Sequence, residues 1–302
     1  MSIVISGATG LLGRAVFKHF KSSFSEPVKI VSLGFSRCDG EILKCDLTSH
    51  AELENLFNTE KPSIFIHCAA ERRPDIVESG NPAAVGINIT ATKLLVEKCA
   101  SSKCVLIFIS TDYVFDGTKP PYTENSEPNP LNTYGLQKLE GEKCVLSNDR
   151  NIVVRVPVLY GPLNPKSGLD ESAVTVLFKA VKSVGKDANM DNIAIRYPTL
   201  TSDIAEVLYK IVTLLLKEHS LGGVIHVSAG EAFTKYTMAC IMARLFNLPS
   251  THLVPDAKSA LSSGTKRPLN CQLQCDKLKS LGIDIPSTPF ETGIKQCISP
   301  FI

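Results

Sequence analysis

A glycine-rich segment near the start of the chain constrains the fold more than any other feature. It reads Gly7-Ala8-Thr9-Gly10-Leu11-Leu12-Gly13 and separates an apolar run, residues 2–6, from an amphipathic stretch, residues 11–20. Glycines at this spacing allow a tight turn, let the backbone approach a pyrophosphate and let the helix pack close to the sheet. The first N–H groups of that helix then offer a partial positive charge to phosphates. The segment therefore predicts a dinucleotide site that includes Gly7, Thr9, Gly10, Leu11, Leu12 and Gly13.

Apolar runs and amphipathic stretches alternate along the first half of the chain, as they do in βαβ units around a parallel sheet. We predict strands over residues 2–6, 28–33, 63–68, 105–110 and 152–156. We predict helices over residues 11–20, about 51–57, 83–100 and 134–146. In the less regular second half we predict helices over residues 170–182, 202–216 and 235–246, and a strand over residues 224–227.

This order of elements predicts an α/β fold, a Rossmann doubly wound parallel sheet with a smaller C-terminal α/β lobe. We assign residues 1–160, together with about 192–226, to the sheet domain, and about 161–191 and 227–302 to the lobe. A ligand would bind in the cleft between them, at the carboxyl ends of the strands. The lobe would then hold a substrate or a partner.

The residues after the second predicted strand indicate which dinucleotide binds. No acidic residue stands there to bind a ribose 2′-hydroxyl, and Phe35, Ser36 and Arg37 follow instead. A guanidinium and a hydroxyl suit a 2′-phosphate, because arginine binds phosphate oxygens through a planar fork. We therefore predict NADP(H) rather than NAD(H), although an exposed loop arginine would give the same pattern.

Two further segments fall where a cofactor would pass. Asp46 and Leu47 follow the next apolar stretch and would lie at the adenine, although a helix N-cap explains Asp46 equally well. Cys68, Ala69 and Ala70 are small residues at the end of the third predicted strand. We expect them to line the site.

A threonine and a tyrosine–lysine pair fit the chemistry of carbonyl reduction. Thr111 follows the fourth predicted strand, and Tyr134 and Lys138 open a predicted helix. Residues four apart lie on one helix face, so the phenol and the ammonium would point the same way. Hydride transfer to a carbonyl needs an acid for the developing alkoxide, and a nearby ammonium would lower the phenol pKa from about 10 toward 7. Thr111 would donate to the same oxygen. A Tyr-x-x-x-Lys pattern arises easily by chance. The prediction therefore depends on the order of the motifs along the chain: the glycine-rich turn, then a threonine at a strand end, then the helix with tyrosine and lysine.

Composition argues against several other functions. A formal net charge of +2 does not suit a nucleic-acid surface. No stretch approaches the roughly 20 apolar residues that cross a bilayer, and the chain opens directly on a strand pattern, so we expect no membrane span, no leader and a cytoplasmic location. Ten cysteines without a Cys-x-x-Cys pair predict free thiols and no metal site. His67 and His226 lie in apolar strands, and we expect hydrogen-bonded core residues.

Four motifs together resemble a known group of proteins. Residues 7–13, 68–70, 109–117 and 134–138 look like the extended short-chain dehydrogenases/reductases related to dTDP-4-dehydrorhamnose reductase. The resemblance implies that Thr111, Tyr134 and Lys138 act on a carbonyl. It also places Pro157, after the predicted strand 152–156, beside the nicotinamide.

A second resemblance covers nearly the whole chain. Beta (regulatory) subunits of methionine adenosyltransferase are similar over the following segments: residues 67–75, 171–176, 188–191, 234–236, 246–250 and 267–270. This resemblance implies a regulatory subunit that binds NADP(H). Its partner would be the catalytic subunit, which makes S-adenosylmethionine.

Two functions stay open at this point. The first is an NADP(H)-binding regulatory subunit, in which the Rossmann site serves as structure or sensor. The second is an NADPH-dependent reductase whose substrate is a small-molecule carbonyl on a nucleotide sugar. The residues of the motif favour the second and the full-length resemblance favours the first, since a catalytic site can be retained for binding alone.

Overall fold

The computed structural model describes residues 1–24, 27–38, 40–217, 220–258 and 264–302. The strands in chain order are β1 Ser2–Ser6, β2 Lys29–Gly34, β3 Ile42–Lys44, β4 Ile64–His67, β5 Val105–Thr111, β6 Ile152–Val156, β7 Leu159–Tyr160, β8 Ala188–Asp191, β9 Thr199–Leu200, β10 Gly223–His226 and β11 Leu253–Asp256. The described helices are α1 Leu11–Ser23, α2 His50–Glu60, α3 Pro74–Glu78, α4 Pro82–Val85, α5 Ala91–Ser101, α6 Thr133–Val145, α7 Leu177–Lys182, α8 Thr201–Leu216, α9 Lys235–Leu245, α10 Asp276–Ser280 and α11 Phe290–Ile298.

Seven of the strands form one parallel sheet in the order β3-β2-β1-β4-β5-β6-β10. The strand order reverses between β1 and β4, which are neighbours with Ser6 opposite His67. In such sheets the crevice at the reversal, outside the carboxyl ends of the strands, is where ligands bind. The predicted doubly wound parallel sheet is confirmed, and it places the glycine-rich turn at that crevice.

Helices cover both faces of the sheet. Side chains of a strand alternate between faces, so Ile3 and Ile5 contact one apolar layer and Val4 the other. The first layer contains the apolar face of α8, which packs on α1. The second is formed with α2, α5 and α6. These two layers fix the helix that follows the glycine turn and the helix that carries Tyr134 and Lys138.

A third apolar cluster lies in the C-terminal part of the chain. It gathers Tyr160, Phe178 and Phe290 with the buried faces of α7, α9 and α11. Two short parallel pairs, β8 with β11 and β7 with β9, accompany it. The cluster is the core of the lobe, while the predicted boundaries at 160, 192 and 226 stay a prediction.

Two of the predicted helices differ from the structure. The helix predicted over residues 170–182 is wrong in extent: a 3-10 turn, Gly168–Glu171, is followed by turns and then by α7. Ser172 lies between them in an extended conformation, where its hydroxyl donates to the Leu159 carbonyl at 2.8 Å. Such side-chain bonds compete with the helix ladder. The helix predicted over residues 83–100 is divided by a π-helical turn, Gly86–Thr90.

Candidate cofactor and catalytic site

The turn after β1 is built so tightly that only glycine fits at two positions. Gly7 has a φ of +68°, and a Cβ there would lie 2.7 Å from the backbone nitrogen of Ala69. A Cβ on Gly13 would lie 2.2 Å from the carbonyl oxygen of Gly7. The turn therefore packs against the segment after β4, which contains Cys68, Ala69 and Ala70. That these three residues line a cofactor site stays a prediction.

The start of α1 is open to an anion. Gly10 precedes the helix, and in the described part of the chain no side chain caps its first turn. The backbone N–H groups of Leu11, Leu12 and Gly13 belong to that turn, where helical N–H groups lack partners within the helix. The Thr9 carbonyl accepts a hydrogen bond from Arg14 Nη1 at 3.1 Å, which ties the turn to the first residues of α1. A helix end of this kind binds phosphate groups.

The loop after β2 carries exposed side chains next to this turn. Phe35, Ser36 and Arg37 are all exposed, Phe35 to 59%. The Arg37 guanidinium donates to the Ser167 hydroxyl through Nη1 at 3.1 Å, although the two residues are 130 positions apart. The cation that sequence reasoning assigned to a 2′-phosphate thus has a neighbour that sequence reasoning missed.

Asp46 and Leu47 lie just beyond β3. The Asp46 carboxylate accepts from the backbone nitrogen of Thr48 at 2.9 Å and from its hydroxyl at 2.6 Å. The alternative that Asp46 caps a helix is wrong, because Ser49 is the residue that caps α2. Leu47 is buried, with 5% of its surface exposed. Asp46 therefore belongs to the turn that joins β3 to α2.

Tyr134 stands at the start of α6, against the 3-10 turn Asp112–Val114. Asn132 caps α6 by accepting from the Gly135 nitrogen at 2.9 Å. A Cβ on Gly135 would lie 2.3 Å from the Tyr113 carbonyl oxygen, so only glycine lets the helix start this close to the turn. The rings of Tyr113 and Tyr134 pack edge to face, with centroids 6.2 Å apart.

Thr111 and Pro157 stand at the same edge as this tyrosine. Thr111 ends β5, where it pairs with Val156 of β6, and Pro157 follows directly. The Thr111 hydroxyl donates to the Asp112 carboxylate at 3.1 Å. Parallel strands end at one edge of the sheet, so both residues face the crevice side that receives the start of α6.

Lys138 is buried four residues beyond Tyr134, with 2% of its surface exposed. Its Nζ lies 3.8 Å from the centroid of the Phe108 ring. Burial lowers the pKa of this ammonium from 10.5 to about 7, and the nearby charge of Glu142 opposes that shift. Among the described residues, the ring of Phe108 is thus a partner of Nζ. Each of the three N–H groups of an ammonium can donate to an oxygen atom of a ligand.

The expected lowering of the Tyr134 pKa by Lys138 is wrong. Burial raises the pKa of the Tyr134 phenol, and the opposing contributions come from Thr111 and Arg72. The reason is geometric: the ammonium of Lys138 lies over Phe108, and the guanidinium that acts on the phenol belongs to Arg72. Arg72 was assigned no role in the site from the sequence. Its position shortly after β4, the strand at the reversal point, was the available signal.

A buried ion pair supports α6 from behind. Arg155 donates to Glu142 through Nη2 at 2.7 Å and through Nε at 3.0 Å, with side-chain exposures of 4% and 1%. The Ser110 hydroxyl donates to the same carboxylate at 2.5 Å. Both side chains of the pair are desolvated, and the Glu142 carboxylate lies one helical turn from Lys138, where its charge opposes the lowering of the Lys138 pKa. Sequence reasoning gave this pair no role.

The two histidines are core residues, as predicted. His67 Nδ1 lies 2.8 Å from the Ser6 hydroxyl, and His226 Nδ1 lies 3.1 Å from the Gln274 carbonyl. Burial lowers the pKa of both imidazoles to about 3, so they are neutral at physiological pH. In the described ranges, no group of three or more His, Cys, Asp or Glu side chains is arranged to hold a metal ion. No described helix has both the length and the apolar character needed to span a bilayer.

Comparison with known proteins extends this picture along the whole chain. The sequence model of the RmlD substrate binding domain matches residues 1–302. A protein of Mus musculus named methionine adenosyltransferase 2 subunit beta is 46% identical over 301 residues, which cover 99% of this chain and 88% of the mouse protein. The chain belongs to the methionine adenosyltransferase 2 beta-subunit family. Both family resemblances predicted from the sequence are thereby confirmed.

Solved structures place this beta-subunit family member among the extended short-chain dehydrogenases/reductases. A dTDP-4-dehydrorhamnose reductase from Clostridium acetobutylicum superposes with a TM-score of 0.82 at 28% identity and covers 99% of both chains. The same enzyme from Bacillus anthracis, solved in complex with NADP, gives a TM-score of 0.80 at 24% identity over 100% of this chain and 99% of its own. At that identity the second structure shows the shared fold alone.

Proposed function

We propose that this chain is an NADP(H)-binding regulatory subunit that associates with the catalytic subunit of methionine adenosyltransferase and modulates S-adenosylmethionine synthesis. The observation that carries the proposal is the 46% identity over 99% of the chain to a protein named as a beta subunit. That similarity includes the lobe, where reductases of different substrates would diverge. By contrast, the reductase of Clostridium acetobutylicum shares the fold at 28% identity.

The crevice fits the proposed cofactor. A Cβ would fill the cradle at Gly7 and Gly13, and α1 begins uncapped beside it, as pyrophosphate binding requires. Arg37 and Ser36 would hold the 2′-phosphate. The remaining contacts would come from residues at the same edge: Asp46, Leu47, Cys68, Ala69, Ala70, Tyr134, Lys138 and Pro157. When bound, the nicotinamide supplies a hydride donor or acceptor.

Co-elution tests the proposed association. Gel filtration of this chain mixed with the catalytic methionine adenosyltransferase subunit of the same genome, with and without NADP+, is expected to give one joint peak. Two separate peaks under every condition would contradict the proposal. A joint peak that changes the kinetics of S-adenosylmethionine synthesis would support it.

A variant at the cofactor site separates binding of NADP(H) from association. Lys138→Ala is expected to weaken dinucleotide binding and leave the joint peak intact, because this ammonium is buried in the crevice. Lys143→Ala, an exposed position on the same helix, is the control. Loss of association with unchanged cofactor affinity would count against this division of roles.

The second candidate is an NADPH-dependent reductase of a nucleotide-sugar carbonyl. It is favoured by the position of Thr111, Tyr134 and Lys138 at one end of the sheet. Burial raises the pKa of the Tyr134 phenol, so the phenol is protonated and able to donate to an alkoxide. NADPH consumption with nucleotide-linked keto sugars tests this activity. A rate that persists in Tyr134→Phe would exclude the assigned acid.

A further inference from the structure

Residues 162–171, here called the strap, cross the carboxyl edge of the sheet. The strap follows β7 and ends in the 3-10 turn Gly168–Glu171. Arginines from separate elements contact it: Arg14 from α1, Arg37 from the loop after β2, and Arg72 from the segment after β4. These elements form the phosphate side of the proposed cofactor crevice. The strap therefore lies beside that crevice and not in the distant part of the lobe.

A bidentate ion pair anchors the strap at its two ends. Arg14 donates to the Glu171 carboxylate through Nη1 at 2.8 Å and through Nη2 at 2.9 Å, and only 5% of the Glu171 side chain is exposed. The same Arg14 Nη2 donates to the Pro162 carbonyl at 2.9 Å. The Asn164 nitrogen also donates to Glu171, at 2.6 Å. One guanidinium and one carboxylate thus hold the beginning and the end of the strap together.

The tip of the strap is a turn organised by Asn164. The Asn164 carbonyl accepts from the nitrogens of Ser167 and Gly168, at 3.0 and 2.8 Å. Its side-chain oxygen accepts from the Lys166 nitrogen at 2.8 Å. Gly168 has a φ of +56°, which suits a reversal at this point. The turn presents the Ser167 hydroxyl to the guanidinium of Arg37 at 3.1 Å.

The contact between Arg37 and Ser167 leaves the hydrogen of the Ser167 hydroxyl free to donate. Ser167 Oγ accepts from Arg37, so its own hydrogen is available to an acceptor, and in the described residues no acceptor takes it. Arg37 likewise uses one of its five N–H groups on a described residue, the Ser167 hydroxyl. A phosphate group offers three acceptor oxygens, which a guanidinium fork and one hydroxyl together satisfy.

We propose that Ser167 completes the 2′-phosphate site of this chain, with its hydroxyl and the Arg37 guanidinium binding one phosphate. This rests on the proposed binding of NADP(H). The strap, and not only the loop after β2, then determines the preference for NADP(H) over NAD(H). Because Glu171 ties the strap to Arg14, the serine is already in place before the cofactor binds.

Calorimetric titration of NADP+ and NAD+ into four proteins tests this proposal: wild type, Ser167→Ala, Arg37→Ala and the double variant. Ser167→Ala is expected to weaken NADP+ binding roughly tenfold, as for a hydrogen bond to a charged group, and to leave NAD+ affinity unchanged. Arg37→Ala is expected to have the larger effect. The double variant is expected to lose less than the product of the two single losses, because both side chains bind one phosphate.

Matched controls are Ser147→Ala and Arg150→Ala, two exposed positions away from the strap. A wild-type chain that binds neither dinucleotide would overturn the proposed cofactor binding itself. Normal NADP+ binding with an unchanged affinity in Ser167→Ala would overturn only the role of the strap. Equal losses for NADP+ and NAD+ in Ser167→Ala would also overturn that role, since the 2′-phosphate is the only difference between the ligands.

Discussion

Replacing Lys138 by methionine is expected to stabilise the cofactor-free chain. The side chain is 2% exposed, and burial lowers the pKa of its ammonium from 10.5 to about 7. This difference corresponds to about 5 kcal/mol of unfavourable free energy for the protonated side chain in the folded state. Methionine fills a similar volume without a charge, and repacking beside the Phe108 ring costs up to about 1.5 kcal/mol. We therefore expect a net gain of about 3 kcal/mol at pH 7.

The stability that Lys138→Met adds depends on pH. The folded-state pKa lies below the unfolded value, so between about pH 7 and 10.5 the unfolded chain binds the proton more strongly than the folded chain does. The stability of the wild type relative to the variant therefore rises as the pH rises through this window. Below pH 7 the folded wild type bears the full cost of burying the protonated Lys138 side chain. The difference between the two proteins is expected to be largest near neutral pH and to shrink toward pH 10.5.

Urea unfolding of wild type and Lys138→Met at several pH values from 7 to 10 measures this difference. Lys143→Met, on the exposed side of the same helix, is the control and is expected to change stability by less than about 0.5 kcal/mol. A methionine variant that is less stable than wild type at pH 7 would refute the reasoning. So would a stability difference that does not change with pH.

Three further predictions follow from the site. Gly13→Ala is expected to abolish dinucleotide binding and lower Tm, because the added Cβ would lie 2.2 Å from a carbonyl oxygen of the turn. Calorimetry and thermal melts measure both effects. Gly230→Ala is the control, because a Cβ on Gly230 would have no atom within 4 Å. Glu142→Gln is expected to cost about 3–5 kcal/mol in urea unfolding, because it leaves the Arg155 guanidinium buried without its carboxylate. Adding Arg155→Leu is expected to restore part of that loss, and no restoration would contradict the account. Tyr134→Phe is expected to leave Tm and co-elution with the catalytic subunit unchanged, and a shifted elution volume would show that the phenol serves the interface.

The sheet and the phosphate turn could be predicted because their signals are local. A strand buried on both faces, such as Val105–Thr111, contains a continuous apolar run over residues 105–109, and a tight turn requires glycines at fixed spacing. Short strands lack such a signal. Ile42–Lys44 is a three-residue edge strand with two exposed side chains, and Ala188–Asp191 is half polar. Ala188–Asp191 also pairs with a strand about 65 residues further along the chain, Leu253–Asp256.

Some residues of the candidate site could be predicted from the sequence, but the charges and burial that determine their pKa values could not. Spacing placed Tyr134 and Lys138 on one helix, but burial against Phe108 determines the environment of the lysine. The cation that acts on the phenol comes from the segment after β4. The contact of Arg37 with Ser167 joins residues 130 positions apart and leaves no local pattern.

The initial rate of S-adenosylmethionine synthesis tests the proposed regulatory role most directly. The catalytic subunit of the same genome is held at fixed concentration while this chain is added, with saturating NADP+ throughout. The account predicts a saturable change in rate or in the Michaelis constant for methionine, complete near one stoichiometric equivalent. A rate that stays flat over a large excess of this chain would contradict the account and leave the reductase as the function to pursue.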